Sequence, residues 1–372
     1  PPGAGPKHEH IQWEGETQPW LFIGFRSPAF DPAEKDYPAM SVLDAIYFSD
    51  SSDLYQDLVI DRQYVDQLLT DFPRNTDPNL NLVYIRLTDE AHAADVEAAV
   101  LETLARARTE LIDPTKLEQT KSRLRYSFAG TLDKSHSIGA TLARYVQYDR
   151  TPETVNQMYA MLDALDAADV RAMADRYFTD QTRVTVTLSN SPSIAGVGRD
   201  VSLDELVASR NAVSNTPAVK AQTADARQEE EFEARGDAVP VSVVAQPSDS
   251  SALVDVSIIV HAGASMDPEG KKGLAALTAA MLTDGGSATW SIQEINDAMF
   301  PIASGFYAQV DKEMTRLSGQ VHRDNLDTWY RYVRSQLLNP GWGEQDFDRV
   351  RNQQRNAIRT GLVGNNDEEL GK

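Results

Sequence analysis

Few residues of this chain have the types and spacing that catalysis or metal binding requires. The 372 residues include six histidines and no cysteine, so disulfides, thiol catalysis and thiolate metal sites are excluded. His8 and His10 could project from one side of an extended segment and bind a metal weakly, but a third ligand is missing beside them. The remaining histidines are isolated in sequence and are predicted to be structural: His92, His136, His261 and His322. No Gly-x-Ser-x-Gly elbow is present, so serine hydrolase chemistry has no support.

One helical segment has a more specific pattern. Residues 273–282 read GLAALTAAML, and this run is similar to the pattern G-L-A-H-x-x-E-H-M-L of the insulinase/pitrilysin family of zinc metallopeptidases, the M16 class. In that alignment the first metal-binding His falls on Ala276, the catalytic Glu on Ala279 and the second His on Ala280. The segment therefore resembles a zinc-peptidase helix in which methyl groups replace the functional side chains.

The replaced residues are the ones that the chemistry needs. A zinc peptidase of this kind requires two imidazoles one helical turn apart, and a carboxylate between them that takes a proton from the bound water. A methyl group can neither donate a lone pair to a metal nor accept a proton. The family's third ligand is a Glu further downstream, and residues 353–358 read QQRNAI with no carboxylate. The resemblance thus implies no metal ligand and no catalytic residue in this chain.

A purely structural interpretation of the same helix stays open. Leu274, Leu277, Ala280 and Met281 recur at helical spacing and predict the apolar stripe of an ordinary buried helix. Periodicity alone does not distinguish a generic buried helix from the family's helix, and the flanking segments favour the family. The turn at 262–270 resembles the family's strand-turn-helix approach, and the glycines after the helix resemble its glycine exit.

Bulk composition restricts the class of protein and its partners. The chain has 35 basic and 56 acidic residues, a net charge of −21, which repels phosphate backbones and anionic lipid surfaces. We therefore expect neither a nucleic-acid partner nor a membrane partner, and no apolar run approaches the roughly 18 residues that span a bilayer. The apolar content of 41% suits buried cores. The opening PPGAGP is neither an initiator Met nor a signal peptide, so we expect a soluble piece of a longer protein.

The chain is predicted to contain three regions, of which the first is residues 1–190. There, probable strands at 20–25 and 183–188 flank a series of helices, which indicates a mixed sheet with helices packed on it. From 191 to 237 the composition shifts to Ser, Ala, Thr, Asn and charge, with the acidic run QEEEFE at 228–233. A segment of this composition is expected to bury little and to link two modules.

The third predicted region, residues 238–372, begins with strands. Residues 239–244 and 253–260 are rich in β-branched residues and are separated by a turn, which predicts a β-hairpin leading into the 273–282 helix. Ser291-Ile292-Gln293-Glu294 has the sequence of a capping box and predicts the start of the next helix.

Residue types repeat along the chain at a fixed distance. The following pairs are 230 positions apart: Leu87/Leu317, Val96/Leu326, Glu97/Asp327, Leu117/Phe347, Glu118/Asp348, Lys121/Arg351 and Arg125/Arg355. Asp31-Pro32 and Asp267-Pro268 correspond at an offset of 236. We predict an α+β fold of two related modules, each a mixed or antiparallel sheet with helices packed on one face. Chance matches among amphipathic helices are the alternative.

The duplication fits the family resemblance, because members of the family consist of four related modules arranged as two halves that enclose a chamber. Residues 13–190 resemble the second module, including SSDLYQDLV at 51–59, and residues 239–372 resemble the opening part of the third, which is truncated here. The resemblance implies that the module with an intact metal motif precedes Pro1 and binds the zinc. It also implies that the missing modules and peptide substrates are the partners.

Some modules of the family carry an Arg and, seven residues later, a Tyr that contact the substrate. In this chain Val59 and Asp66 occupy those positions. Val59 has no hydrogen-bond donor, and Asp66 has the wrong charge for holding a carbonyl oxygen. The sequence therefore names no substrate contact.

The function implied by the resemblance is that of a non-catalytic part of a zinc metallopeptidase of the metallohydrolase fold, forming one wall of a peptide-enclosing chamber. A structural or assembly protein on the same fold, without peptidase activity, is the alternative, and a peptide-binding module that works alone is a third. Bacterial relatives with two fused halves are often exported, which implies a periplasmic location.

Overall fold

The structure, a computed structural model, describes residues 5–15, 17–132, 135–198, 201–213, 241–247 and 251–363. The chain divides into two compact units. The first unit comprises 1–121, 142–221 and 352–372, and the second comprises 122–141 and 222–351.

The first unit is built on a five-stranded sheet in the order β1-β5-β2-β4-β3. The strands are β1 (Lys7–Gln12), β2 (Trp20–Arg26), β3 (Val65–Asp71), β4 (Leu80–Leu87) and β5 (Val184–Ser189). β1 runs parallel to β5, and all other neighbours are antiparallel. The mixed sheet and the predicted strands at 20–25 and 183–188 are therefore confirmed.

Helices cover one face of this sheet. Those between the strands are α1 (Asp36–Phe48), α2 (Asp53–Tyr55) with a π-helical continuation (Gln56–Asp61), α3 (Ala93–Thr109), α4 (Pro114–Gly130), α5 (Ser135–Asp149), α6 (Glu153–Asp163) and α7 (Ala167–Tyr177), and α8 (Leu203–Val213) follows β5. The end of α4 and the start of α5, within residues 122–141, belong to the second unit. On α3 the apolar residues Val96, Val100 and Leu101 are fully buried. They recur at helical spacing, so one stripe of α3 faces the core.

Part of the segment predicted to be a linker, residues 191–237, is folded onto the first unit. Ile194 and Leu203 are buried, and α8 packs against α3. The buried carboxylate of Glu97 accepts hydrogen bonds from the Gly198 amide at 2.7 Å and the Thr185 hydroxyl at 3.1 Å. A few apolar residues are enough to anchor a segment whose composition is otherwise polar. The overall composition therefore did not predict that residues 191–213 are partly buried against the first unit. Residues 214–237, with the acidic run, lie outside the described residues.

The second unit contains a three-stranded antiparallel sheet in the order β6-β8-β7. Its elements are β6 (Leu253–Val260), α9 (Leu274–Asp284), α10 (Ile292–Met299), β7 (Tyr307–Val310), β8 (Thr315–His322), α11 (Leu326–Leu338) and α12 (Glu344–Val363), of which the part from residue 352 belongs to the first unit. The predicted capping box opens α10, since the Ser291 hydroxyl accepts from the Glu294 amide at 3.2 Å and the Glu294 carboxylate accepts from the Ser291 amide at 2.8 Å. Trp290, Met299 and Trp329 belong to the core.

The hairpin predicted from 239–244 and 253–260 is wrong in its first strand. Residues 241–247 form no strand, and Val241, Val243 and Val244 are each more than 80% exposed. β6 pairs instead with β8. β-branched residues favour a strand only where a partner supplies hydrogen bonds, and the described residues supply none to this segment.

The two sheets share one topology, which confirms the predicted duplication. β2-β4-β3 and β6-β8-β7 have the same order and directions, and the central strand of each is followed by a 3₁₀ turn and two helices. α4 and α12 begin 230 residues apart, at Pro114 and Glu344, whereas α3 and α11 begin 233 apart. The single 230-residue offset therefore holds for α4 and α12, but it misaligns Leu87, the last residue of β4, with Leu317, the third residue of β8.

In the described part of the chain, each helix is too short or too polar to cross a membrane.

Candidate functional site

The three alanines that the sequence resemblance aligns with the family's metal-site positions lie on α9. Ala276 and Ala280 are half-buried, and Ala279 is 3% exposed. Ala276 and Ala280 are four residues apart, so they share a helix face. The backbone thus has the geometry that a two-ligand helix needs, and the side chains have none of its chemistry.

A buried aspartate fixes the start of α9. The Asp267 carboxylate accepts hydrogen bonds from the amides of Ala275 at 2.8 Å and Gly273 at 2.7 Å. These backbone donors, that of Ala275 first, hold the pKa of Asp267 below the usual value of an aspartate. Gly273 has φ +94°, in the left-handed region that favours glycine. The Asp-Pro turn predicted to correspond to Asp31-Pro32 therefore has a capping role here.

Two buried side chains fix the other end of α9. Gln336 is 1% exposed and donates to the Thr283 carbonyl at 2.8 Å. Arg349 is 4% exposed and donates to the Asp284 carbonyl, while it pairs with Asp346 at 2.9 Å. The last carbonyls of a helix lack partners within the helix, so these donors satisfy them from α11 and α12.

The buried face of α9 differs from the predicted stripe. Its buried residues are Ala279, Met281 and Thr283, whereas Leu274 is 42% exposed. α9 packs chiefly against β7, and this neighbour selects the face that is buried. The predicted stripe of Leu274, Leu277, Ala280 and Met281 is therefore wrong at its first position.

These residues do not fit a zinc ion. The α9 positions offer only methyl groups, and within the described ranges no three His, Cys, Asp or Glu side chains converge to hold a metal. His8 and His10 lie on one side of β1, as expected, and both contact the Thr187 hydroxyl, at 3.4 and 2.9 Å. His10 also meets the Ser191 carbonyl at 2.8 Å. No zinc-dependent step is assigned to this chain.

The first unit has a counterpart of α9 that also lacks the zinc ligands. α1 and α9 follow the first strand of their shared topology and end 236 residues apart. At that offset Ala276, Ala279 and Ala280 correspond to Met40, Leu43 and Asp44.

Asp44 is the one ionisable residue of these six positions, and sequence reasoning missed it. Its carboxylate accepts from the Asn81 amide group at 3.0 Å. Burial raises the pKa of Asp44 to about 7, the hydrogen bond from Asn81 opposes that rise, and nearby Asp71 adds to it. The sequence did contain a signal for this buried carboxylate, because Asp44 is an aspartate within an otherwise apolar helical stripe.

The positions of the family's substrate-contacting pair are structural in this chain. Val59 is 1% exposed, in the π-helical turn. The Asp66 side chain is 2% exposed, pairs with Arg86 at 2.6 Å and accepts from the Asn356 side chain at 2.8 Å. Asp66 is thus held by two donors, and it does not present a free carboxylate. The sequence could not show this pair, because Asp66 comes close to Arg86 at an irregularity in strand pairing, the register shift between Val65 and Gln67 of β3.

The sheet face opposite the buried core carries an aromatic row that sequence reasoning also missed. Trp20 stacks on Phe22 with ring centroids 5.7 Å apart, and Phe22 meets Tyr84 edge-on at 5.5 Å. The Arg86 guanidinium lies 5.8 Å from the Trp20 ring. These residues alternate with fully buried ones along β2 and β4 and are themselves partly exposed. We call Trp20, Phe22, Tyr84 and Arg86 the aromatic row.

Two sequence models of one family match separate parts of the chain. The model described as "Peptidase M16 inactive domain" matches residues 2–124, and the model described as "Insulinase (Peptidase family M16)" matches residues 242–362. The second match includes α9 with its three alanines. No curated protein sequence matches the chain.

Two solved structures, pitrilysin and the ferredoxin protease FusC, have a similar fold. Pitrilysin is 14% identical, with a TM-score of 0.53, over 96% of this chain and 40% of its own. The ferredoxin protease FusC, solved as a point mutant in complex with Arabidopsis ferredoxin, is 13% identical with a TM-score of 0.50, over 99% of this chain and 44% of its own. The periplasmic protease PqqL from Escherichia coli is 11% identical with a TM-score of 0.42, over 99% of this chain and 44% of its own.

This chain spans less than half the length of these three proteins. Family matches lie on both of its regions, and the pitrilysin fold extends over nearly all of it. The chain therefore belongs to the insulinase/pitrilysin family of peptidases, peptidase family M16.

Proposed function

We propose that this chain is a non-catalytic portion of a zinc-dependent M16-type metallopeptidase and forms part of the wall of its peptide-enclosing chamber. The observation that carries the proposal is that α9 is held at both ends but has no metal-binding side chain at the aligned positions. Its two ends are anchored by Asp267, Gln336 and Arg349, whereas its metal-site positions hold only methyl groups. A helix kept in place without its ligands supports a structural contribution to a larger enzyme.

In this proposal the zinc and the general base belong to a module that precedes Pro1 in the parent protein. The modules outside this chain, and the peptides that the parent cleaves, are the partners. This chain would exclude large folded proteins and offer apolar surface to an extended peptide. The half-exposed aromatic row of the first unit is a surface suited to that contact, since aromatic side chains supply large apolar area.

The test compares the 372-residue chain with the parent protein in a peptide-cleavage assay. We expect cleavage by the parent, loss of that cleavage after zinc chelation, and no cleavage by the chain alone. A parent variant with Ala276→Ser and Ala280→Ser serves as the matched control and should retain activity, because these positions carry no catalytic group. Cleavage by the chain alone would contradict the proposal.

A peptide-binding module that works without peptidase activity is the second candidate, and the aromatic row favours it. The residues encoded upstream of Pro1 separate the candidates: an intact H-x-x-E-H supports the enzyme, and another degenerate helix supports a scaffold or assembly protein. Titration of unfolded peptides against the chain gives a further distinction. Saturable binding that is lost in Trp20→Ala would support the binding module.

We also propose a periplasmic location for the parent, by analogy with exported bacterial relatives. Cell fractionation of the native organism tests it, and recovery of the protein in the cytoplasmic fraction would overturn it.

A further inference from the structure

Five aromatic side chains of the first unit are grouped around one arginine, Arg74, in the loop between β3 and β4. They come from the loop after β2, from α1, from the residue after β3 and from α5: Phe30, Tyr37, Phe72, Tyr145 and Tyr148. The Cζ atom of Arg74 lies 4.0 Å from the centroid of the Tyr145 ring. It lies 6.0 Å from the ring centroids of Phe30 and Tyr37. We call the five aromatic residues the aromatic cage.

The rings of the cage hold one another in place. Phe30 meets Tyr148 with centroids 4.5 Å apart and meets Tyr37 edge-on at 5.0 Å. Phe72 stacks on Tyr37 at 4.8 Å. Phe30 and Tyr145 are only 5% and 3% exposed. Contacts between rings therefore position the cage, and Arg74 is its occupant.

The charge of Arg74 is met by ring faces and not by an acid. Within the described ranges no carboxylate forms an ion pair with Arg74, whereas the buried Arg183 pairs with Asp180 at 3.1 Å. Burial raises the pKa of Tyr37 to about 12 and also raises the pKa of Tyr145 above its ordinary value, so both phenols are uncharged at neutral pH. A cation is attracted by the quadrupole of each ring that it faces. The cage thus has the chemistry of a cation site.

The second unit shows that a loop at this place is held without a cage. In the first unit the Phe30 amide donates to the Asn75 carbonyl at 2.8 Å, which ties the β3–β4 loop to the loop after β2. In the second unit the Ala264 amide donates to the Asp311 carbonyl at 2.9 Å, which ties the β7–β8 loop to the loop after β6. The basic residue of that loop, Lys312, is exposed. Backbone hydrogen bonds suffice for docking of the loop, so docking does not explain the cage.

Arg74 fills the cage at a cost. Its Nη1 atom and the neighbouring Nδ2 atom of Asn75 are both buried without a hydrogen-bond partner. A buried donor without an acceptor has lost its hydration and gained nothing in return. Residues 76–80, which complete the loop, are all exposed. Movement of the loop out of the cage would therefore return two donors to water and would uncover no buried side chain of residues 76–80.

We propose that the aromatic cage is a binding site for the guanidinium group of an arginine in a peptide, and that Arg74 occupies it when no such peptide is bound. The internal occupant shows that the cage accommodates this group. The net charge of −21 favours the approach of basic peptides. The inference concerns a cation site of the first unit and does not depend on the proposed peptidase activity.

Removal of the internal occupant tests the site. In calorimetric titrations of the 372-residue chain, N-acetyl-arginine amide should bind Arg74→Ala at least about tenfold more tightly than it binds the wild type, because its competitor is gone. N-acetyl-citrulline amide has nearly the same shape without the charge and should not bind. Absence of saturable binding of the arginine compound to folded Arg74→Ala would overturn the proposal, as would equal binding of the citrulline compound.

Arg62→Ala is the matched control, because it changes the net charge by the same amount. Arg62 lies over a single ring, that of Tyr64, at 5.1 Å, and it pairs with Asp57. This variant should bind the arginine compound no more tightly than the wild type does. An equal gain in both variants would assign the effect to net charge and would overturn the proposal.

Hydrogen exchange of the wild type gives a test that does not depend on folding of a variant. Displacement of Arg74 moves the adjacent Asn75 and breaks its hydrogen bond with the Phe30 amide, so an arginine-rich peptide should make this amide exchange faster. The same peptide with citrulline in place of arginine should have no effect. Unchanged exchange of Phe30 with the arginine-rich peptide would contradict displacement of Arg74.

Discussion

The first and second units share a three-strand topology but differ in how completely the sheet is closed. β2 is paired on both edges, whereas β6 is paired only with β8 among the described residues. The buried side of both sheets is nevertheless well formed, with Ile23 in one unit and Trp329 in the other almost fully buried. The common strands and helices thus account for the core, and a separate stretch of chain accounts for closure of the edge.

The helices α1 and α9 show a second difference between the units. Both occupy the same place in the topology, and neither carries the family's ligands at the corresponding positions. α9 has methyl groups there and is anchored at both ends, whereas α1 has Met40 and Leu43, which are fully buried, and Asp44. The two units therefore keep the helix at the same place in the topology while the residues at these positions differ.

The largest effect is expected from restoring the family's catalytic Glu at Ala279. Ala279→Glu would place a carboxylate at a position that is 3% exposed, and we expect it to lower the free energy of unfolding of the second unit by about 3 kcal/mol. Ala276→Glu, at a half-buried position of the same helix, is the control and should lower it by less than about 1 kcal/mol. Chemical denaturation followed by tryptophan fluorescence measures both. Equal effects would show that α9 does not bury Ala279.

The next effect concerns the ion pair between Asp66 and Arg86. Asp66→Ala removes the carboxylate from Arg86, whose side chain is 15% exposed, and should destabilise the first unit by about 2 kcal/mol. Asp57→Ala is the matched control, because Asp57 pairs with Arg62 but its side chain is 46% exposed; its effect should stay below about 1 kcal/mol. If the two variants had similar effects on the unfolding midpoint, Asp66 would not be a buried anchor.

A smaller, pH-dependent effect distinguishes α1 from α9. Because burial raises the pKa of Asp44 to about 7, the folded protein holds this proton more tightly than the unfolded chain, whose aspartates titrate near 3.9. The contribution of Asp44 to stability is full below about pH 4 and is lost as the pH rises to about 7. Asp44→Asn should therefore be more stable than the wild type at pH 8. The gap should shrink toward pH 4 in urea titrations, and a pH-independent difference would count against the raised pKa.

The smallest expected effect has the opposite sign and belongs to α9. Backbone donors lower the pKa of Asp267, so its capping contribution is full above the unfolded pKa of about 3.9 and is lost as the pH falls through the lower folded value. Asp267→Asn should make hydrogen exchange at the start of α9 faster at neutral pH and less sensitive to acid. Unchanged exchange in this variant would mean that Asp267 does not cap the helix.

Local patterns were sufficient to predict part of this fold from the sequence. β2, β5 and the capping box of α10 depend on residues close together in the chain, and the structure confirms them. The duplication was visible because chemical types recur on α4 and α12, where Glu118–Lys121 and Asp348–Arg351 form equivalent ion pairs.

Features that depend on distant pairing were not predictable in the same way. Val241 and its neighbours have strand composition but no strand partner among the residues that the structure describes, and Leu203 anchors a segment whose composition is that of a linker. Asp66 and Arg86 meet at the register shift between Val65 and Gln67 in the pairing of β3 with β4. For the candidate site, the sequence identified the three alanine positions of α9, but the anchors Gln336 and Arg349 belong to other helices and carried no motif.

The most direct test of the central claim is the zinc content of the purified 372-residue chain after equilibration with zinc and dialysis, measured by elemental mass spectrometry. The account predicts far less than one ion per chain, because Ala276, Ala279 and Ala280 offer no ligand. One tightly held zinc ion per chain would contradict it.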